Sequence, residues 1–375
     1  MNKICAVVAS RANYGRIKYL LKAIEQNKNL ELQLVVGASI LLHRFGNAID
    51  IIREDGFKPN KEIHYIVEGE TLLTQAKSTG LGVIELASAF NELKPDYVIT
   101  VADRFETMST AIASTYQNIP LIHLQGGEVT GNIDNRVRHS ITQLADYHFV
   151  ASNKAQEKLK CMDINPNRIF NYGCPSMDVL DKNSLALDEE RLNKYKGVGG
   201  QINWKQKYIL MVQHPVTTSY GDGYDQIIES LHALKSLDEY QKIILWPNPD
   251  AGSDDVSKGI RQFREKYKPD KFYFYKNFSP EDYAIILNNA SCCIGNSSSF
   301  IREGSFLGVP AVIVGDRQCG RETGNNIEVS DYNRNEITEK INKQLKNGKY
   351  EKEFIFGDGN AGKNIALEIN NICNG

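Results

Sequence analysis

HLQGGEVTGNIDNRVRH, residues 123–139, continues the apolar run that begins at Ile119-Pro120-Leu121-Ile122. A largely apolar run, residues 119–124, followed after Gln125 by a glycine pair, reads as a strand that ends in a loop. The loop then gathers Glu128, Asp134, Arg136, Arg138 and His139. In an α/β protein, side chains at the carboxyl end of a strand are delivered into a ligand crevice. Carboxylates flanked by fixed cations suit proton transfer on an anionic substrate, because each partner tunes the other's pKa. A solvated surface loop is the competing reading of such charges, and a second cluster just upstream, Ala102-Asp103-Arg104-Phe105-Glu106, weighs against it.

Working outward, short β-rich runs alternate with helical patterns along the whole chain. Strands are expected at 4–9, 32–37, 97–101, 120–124 and 147–151, with helices at 14–25, 72–93 and 107–117 between them. The pattern restarts with strands at 208–212, 242–246, 271–275, 292–295 and 310–314, and helices near 336–345 and 363–373 close the chain. Such alternation implies parallel sheets covered by helices on both faces. A chain of 375 residues is too long for one ordinary core. The expectation is two doubly wound, Rossmann-like α/β domains facing a central cleft. The first spans 1–180 and the second 207–355, with a charged and glycine-rich linker at 181–206. A C-terminal helix in 356–375 would pack back toward the first domain.

Composition removes several classes of function. Lys plus Arg number 44 against 46 Asp plus Glu, a net charge of −2, so no basic field invites nucleic acid. No apolar run approaches the roughly 20 residues of a membrane span. The N-terminal run Cys5-Ala6-Val7-Val8-Ala9 is short for a signal sequence and meets Ser10-Arg11, so a cytoplasmic location is expected. Seven cysteines without a CxxC pair suit free thiols, and Cys292-Cys293 reads as core packing.

Further constellations along the chain carry chemistry. The first βα turn, Ala9-Ser10-Arg11-Ala12-Asn13-Tyr14-Gly15-Arg16, lacks GxGxxG, but Arg11 and Arg16 beside a helix start suit a diphosphate. Asp103 follows the apolar run 98–102 and belongs at a strand tip, where a helix-capping aspartate is the plain alternative. Gln213-His214-Pro215 ends another strand, and the following proline restricts how His214 is presented. Trp246-Pro247-Asn248-Pro249-Asp250-Ala251-Gly252-Ser253 adds amide and hydroxyl groups after the next. Ile294-Gly295-Asn296-Ser297-Ser298-Ser299-Phe300-Ile301-Arg302-Glu303 runs from a strand into small polar residues that open a helix. Its N–H groups and hydroxyls suit a phosphate, and Glu303 suits ribose hydroxyls. Asp316-Arg317-Gln318-Cys319-Gly320-Arg321 supplies two more arginines. The chain has no HExxH, Walker loop or serine elbow, and its histidines form no metal-ligand spacing.

Taken in order, these motifs, together with Gly173-Cys174-Pro175-Ser176, resemble those of the hydrolysing UDP-N-acetylglucosamine 2-epimerases that begin sialic-acid-type sugar synthesis, within the GT-B-like 2-epimerase group. The likeness covers nearly the whole chain. It implies elimination of the nucleotide diphosphate to a 2-acetamidoglycal, followed by hydration to a free manno-configured amino sugar, without metal or cofactor. It places Asp103 and Asp134 on acid/base carboxylates, His214 near the diphosphate, Ser297, Ser298 and Glu303 on a nucleotide cradle, and Arg11 on a phosphate. The expected catalytic set is Asp103, Glu128, Asp134 and His214. The expected substrate set is Arg11, Arg16, Gln125, Arg138, His139, Asn248, Ser297, Ser298, Ser299, Glu303, Arg317 and Arg321. A homo-oligomer, dimer or tetramer, acting on a nucleotide sugar is expected, with no nucleic-acid or membrane partner.

The chain departs from the family pattern at Gln125, where HIEGGE is common and HLQGGE stands here. An amide is no general acid or base near neutral pH. Either Glu128 takes over proton transfer, or the site is retuned and Gln125 recognises a polar sugar substituent. Residues 37–43 depart as well. Both changes are similar to the branch acting on nucleotide-linked N,N'-diacetylbacillosamine for legionaminic acid, which stands as the alternative substrate. A GT-B glycosyltransferase, a catalytically silent nucleotide-sugar binder and a non-hydrolysing epimerase are the remaining alternatives.

Overall fold

Apart from one antiparallel bridge, Val198 to Phe274, every strand pairing among the described residues is parallel. The computed structural model describes residues 1–43, 48–182, 184–248 and 250–375. By internal contacts the chain forms two units. The first contains Met1–Glu128, Ile133–Lys182 and Ile355–Gly375; the second contains Val129–Asn132 and Asn183–Phe354.

The first unit carries strands β1 (Asn2–Val8), β2 (Leu30–Gly37), β3 (Lys61–Ile63), β4 (Tyr97–Val101), β5 (Leu121–Leu124), β6 (Tyr147–Val150) and β7 (Ile169–Asn171). They lie in the order β3-β2-β1-β4-β5-β6-β7. Period-two alternation sorts β1 onto two cores. Ile4, Ala6 and Val8 join one buried cluster, while Cys5, Val7 and Ala9 join the cluster on the opposite face. Ser10, two residues beyond that strand, caps the helix Arg11–Glu25 by accepting from the Asn13 N–H. Tyr14, Ile17, Leu20, Leu21 and Ile24 then recur at helical spacing and bury against the sheet.

The second unit carries β8 (Tyr208–Val212), β9 (Gln241–Leu245), β10 (Phe272–Tyr275), β11 (Cys292–Gly295), β12 (Ala311–Val314) and β13 (Ile327–Ser330), in the order β10-β9-β8-β11-β12-β13. Strand order reverses between β1 and β4 in the first unit and between β8 and β11 in the second. Those reversals are topological switch points, where neighbouring connections leave in opposite directions and open a crevice at the strands' carboxyl ends.

Two features differ from the sequence expectation. Strands β3, β7 and β13 were not anticipated; each is an edge strand of three or four residues, too short and half-exposed to show an apolar run. The stretch expected as a linker, 181–206, is instead built into the second unit from residue 184 onward; Asn183 lies outside the described residues. Within it, Arg191, Lys194 and Tyr195 all engage the fully buried Asp282, and Trp204 is buried with its indole N–H on Asn193. Glycine is required at 199, where a Cβ would stand 2.0 Å from the Phe272 carbonyl oxygen. The C-terminal helix Ala361–Asn374 belongs to the first unit. Ile365, Ala366 and Ile369 enter its core, and Asp178 accepts from the Ala361 and Gly362 N–H groups.

Two histidines sit side by side on β5 and β6, paired in register and buried: His123 and His148. Burial pushes His123 down to about 4 and His148 down to about 3. Both folded values lie below the ordinary 6.5, so stability from their neutral forms is complete above that pH and is lost as pH falls toward 4. Each proton taken up only by the unfolded chain lowers stability by about 1.4 kcal/mol per pH unit. His148 Nδ1 has no hydrogen-bond partner, so His148→Phe should remove roughly half of this slope. Urea unfolding of the first unit at pH 7 and pH 5 measures it. A midpoint that does not move with pH would show that neither imidazole is held neutral.

Candidate active site

The carboxyl ends of β1, β4 and β5 present the first group of candidates. Arg11 and Arg16 are both half-exposed on the helix that follows β1. After β4 the backbone turns through Ala102, which is left-handed at φ 64°. Its N–H donates to the Leu124 carbonyl at 2.9 Å, and its own carbonyl accepts from His123 Nε2 at 2.8 Å. This turn sets Asp103, which is nearly buried and ion-paired with the fully buried Arg138. Arg138 also donates to the Glu128 carbonyl. Arg104 and Glu106 form a separate buried pair, with contacts of 3.0 and 3.1 Å.

The end of β5 repeats the device. Gln125 is left-handed at φ 63° and donates its N–H to the Phe149 carbonyl at 2.8 Å. The glycine pair is steric. A Cβ at Gly127 would stand 2.4 Å from the Ala155 carbonyl oxygen, and one at Gly126 would crowd His123 and Thr142. Glu128 is buried at the end of this turn. Asp134 lies in the first turn of the helix Ile133–Leu144, half-exposed, one turn before Arg138. The intervening Val129–Asn132 belong to the second unit, where the Gly131 N–H donates to the Arg317 carbonyl at 3.2 Å.

Three residues expected on substrate make contacts within the first unit. Arg138 is fully buried, its guanidinium engaged by Asp103 and the Glu128 carbonyl. Gln125 is buried and its amide nitrogen donates to Cys174 Sγ at 2.9 Å, with Ser176 Oγ 3.0 Å beyond. His139 is half-buried, and its pKa is lowered by burial first, then by Arg138 and Lys158.

At the switch point of the second unit, β8 leads through Gln213 to His214, and β11 through Gly295 to Asn296. Gly295 adopts φ 126°, and a Cβ there would stand 2.2 Å from the Val212 carbonyl oxygen. The Asn296 side chain accepts from the His214 N–H at 2.7 Å and donates to the His214 carbonyl at 2.8 Å. The Asn248 backbone N–H donates to His214 Nδ1 at 3.1 Å. That bond leaves the proton of a neutral His214 on Nε2. Asn248 therefore acts on His214 through its backbone, and Pro249 beside it lies outside the described residues. Sequence reading gave Asn296 no role, although a polar residue after a strand-end glycine was a usable signal.

The serine run is partly self-satisfied. Ser297 and Ser299 hydroxyls lie 2.8 Å apart, and Ser299 also meets the Tyr283 hydroxyl at 2.6 Å. Ser298 is half-exposed, and Glu303 is the second residue of the short helix Arg302–Leu307. Arg317 and Gln318 both donate to the Asn296 carbonyl, at 3.1 and 2.8 Å, which fixes the loop carrying them; Arg321 is buried nearby in sequence. Among the described residues no group of three His, Cys, Asp or Glu side chains forms a metal site, and no helix is long and apolar enough to cross a membrane.

Comparison with known proteins places this geometry in a family. The family model described as UDP-N-acetylglucosamine 2-epimerase matches residues 22–370. A GDP/UDP-N,N'-diacetylbacillosamine 2-epimerase (hydrolyzing) of Campylobacter jejuni is 30% identical over 88% of this chain and 85% of that protein. The polysialic acid biosynthesis protein P7 of Escherichia coli is 30% identical over 91% and 86%, and a UDP-N-acetylglucosamine 2-epimerase of Neisseria meningitidis 29% identical over 96% and 92%. The fold matches a Methanocaldococcus jannaschii UDP-GlcNAc 2-epimerase solved with UDP-GlcNAc and UDP, at a TM-score of 0.82, 16% identity and coverage of 98% and 99%. With two parallel α/β units, charged candidates at both switch points and a family match across nearly its full length, the chain belongs to the UDP-N-acetylglucosamine 2-epimerase family.

Proposed function

We propose that this protein is a hydrolysing nucleotide-sugar 2-epimerase that converts UDP-N-acetylglucosamine and water to N-acetylmannosamine and UDP. The observation that carries the reading is Asp103, held at a switch point by a buried guanidinium with Glu128 and Asp134 on the adjoining turn and helix. A fixed cationic partner favours the charged carboxylate, the form needed to accept a proton. In this reading Asp103 removes the proton at C2 while the C1–O bond to the diphosphate breaks, giving the 2-acetamidoglycal and UDP. Water then adds its oxygen at C1, and Asp134 or Glu128 returns a proton to the opposite face of C2. His214, with its proton on Nε2, supplies a hydrogen bond to the departing diphosphate. Arg11, Arg16 and Arg317 offset phosphate charge, while Ser298 and Glu303 serve the nucleoside.

The product is a free 2-acetamido sugar of the kind condensed into nonulosonic acids, in keeping with the name of the Escherichia coli relative. A nucleotide-linked N,N'-diacetylbacillosamine is the second reading, favoured by the equally similar Campylobacter jejuni protein. The Gln125 amide, turned onto Cys174, supports neither sugar over the other. A glycosyltransferase would use a related fold, but the family match and the acid/base set weigh against it.

Incubation with UDP-N-acetylglucosamine, and with UDP- and GDP-linked 2,4-diacetamido sugars, in deuterated water should release a free manno sugar carrying deuterium at C2. A product still bound to nucleotide, or one without solvent label, contradicts elimination and hydration. Asp103→Asn and Asp134→Asn should each lower kcat by about 10²–10⁴-fold, the usual scale for losing a general acid or base, with UDP binding retained. Near-normal turnover in both would move the chemistry elsewhere. Ser298→Ala and Glu303→Gln should instead weaken UDP binding by about 1–3 kcal/mol, which calorimetric titration resolves. Unchanged affinity in both would make this run a helix start and nothing more.

A further inference from the structure

His123 occupies the centre of the acid/base wall without reaching any surface. It is fully buried on β5, and its two ring nitrogens address two different elements. Nε2 lies 2.8 Å from the Ala102 carbonyl, which can only accept, so that nitrogen carries the proton. The bond holds the one left-handed residue that precedes Asp103. Nδ1 lies 3.2 Å from the Thr142 hydroxyl, on the helix that carries Asp134 and Arg138. Nδ1 then faces the hydroxyl as an acceptor, and the single Thr142 proton is shared between Nδ1 and the Arg138 carbonyl, 2.9 Å from the hydroxyl oxygen. Gly126 completes the arrangement: a Cβ there would come within 3.1 Å of Nδ1.

Left-handed backbone at a non-glycine residue is disfavoured by about 1–2 kcal/mol and persists where its surroundings over-determine it. Here the imidazole is one of those surroundings. We propose that His123 is a positioning residue for proton transfer: it ties the β4 turn to the helix of Arg138, so that the Asp103 carboxylate and the Arg138 guanidinium meet in one fixed geometry. The proposal rests on the epimerase reading above only for the reaction it serves. The charged and titratable groups around this device are Arg138 on Asp103, the Arg104–Glu106 pair, His139 on the same helix as Arg138, and His148 across from His123 on β6.

Three variants separate positioning from bulk. His123→Gln keeps a donor near the place of Nε2, His123→Asn keeps a polar group near Nδ1 only, and His123→Leu keeps neither. Turnover of UDP-N-acetylglucosamine and the ¹³C titration of the Asp103 carboxyl, assigned through Asp103→Asn, are measured on each, with thermal unfolding alongside. Misplacing a reacting group by about 1 Å lowers rates on the order of 10²-fold. His123→Asn and His123→Leu should therefore lose about 10–100-fold in kcat with KM within about threefold, and the Asp103 midpoint should rise as its contact with Arg138 loosens. His123→Gln should recover most of both. An Asp103 titration that matches the wild type in His123→Asn and His123→Leu overturns the proposal. So does a well-folded His123→Gln that fails to recover. If the wild type turns over no nucleotide sugar, the functional reading falls, and the Asp103 titration still decides the role of His123.

Discussion

Backbone groups at the carboxyl ends of parallel strands lose their partners where the ladder stops, and the way this chain satisfies them shapes the candidate groups of each unit. An unpaired buried N–H or carbonyl costs about 1–3 kcal/mol, so each strand end must recruit a neighbour. In the first unit the chain turns through left-handed Ala102 and Gln125, whose N–H groups go back to Leu124 and Phe149 on the next strands. The Ala102 carbonyl takes an imidazole. In the second unit the turn is made by Gly295, and the amide of Asn296 bonds both backbone groups of His214. The Asn296 carbonyl then collects Arg317 and Gln318. Satisfying the main chain and aiming the functional side chains are thus one arrangement, seen twice with different residues.

Burial of Arg138 follows from the same economy. A guanidinium removed from water needs partners for its charge, and here the Asp103 carboxylate and the Glu128 carbonyl engage it. Removing one partner of such a pair leaves the other charge buried and uncompensated, an effect of about 3–5 kcal/mol. Asp103 thereby holds a structural place beside the acid/base role proposed for it. A variant that keeps its size and hydrogen bonding isolates the chemistry better than truncation does.

How much of this was legible depended on whether a residue acts locally. Central strands such as β4, β8 and β11 announce themselves as apolar runs, because both faces are covered. The edge strands β3, β7 and β13 do not, because half of each is wet. The strand-end position of Asp103 and His214 follows from the runs that precede them. Orientation does not. An arginine or glutamine in a charged loop reads as ligand-facing, yet Arg138 and Gln125 turn inward onto Asp103 and Cys174. Those contacts join residues 35 and 49 positions apart (138 − 103 and 174 − 125), a pairing set by sheet order and invisible to local pattern. The linker reading failed similarly: glycines 197 and 199 mark close backbone approach to β10, not freedom.

A histidine used as a hydrogen-bond post inside a sheet must keep its charge constant while the acids around it exchange protons. Burial does this for His123, holding it down to about 4. Ordinary aspartates titrate near the same value, so above that range the post stays neutral. An imidazole at its usual 6.5 would gain a second donor and a charge in the middle of the physiological range, altering its contact with Thr142. The geometry around Asp103 would then change with pH well above the range in which ordinary carboxyls titrate. Asparagine or glutamine would avoid that charge change, but the rigid ring spans from β4 to the Thr142 helix with fewer rotatable bonds to freeze. The acid-side loss of stability predicted from His123 and His148 is the thermodynamic counterpart of that constancy.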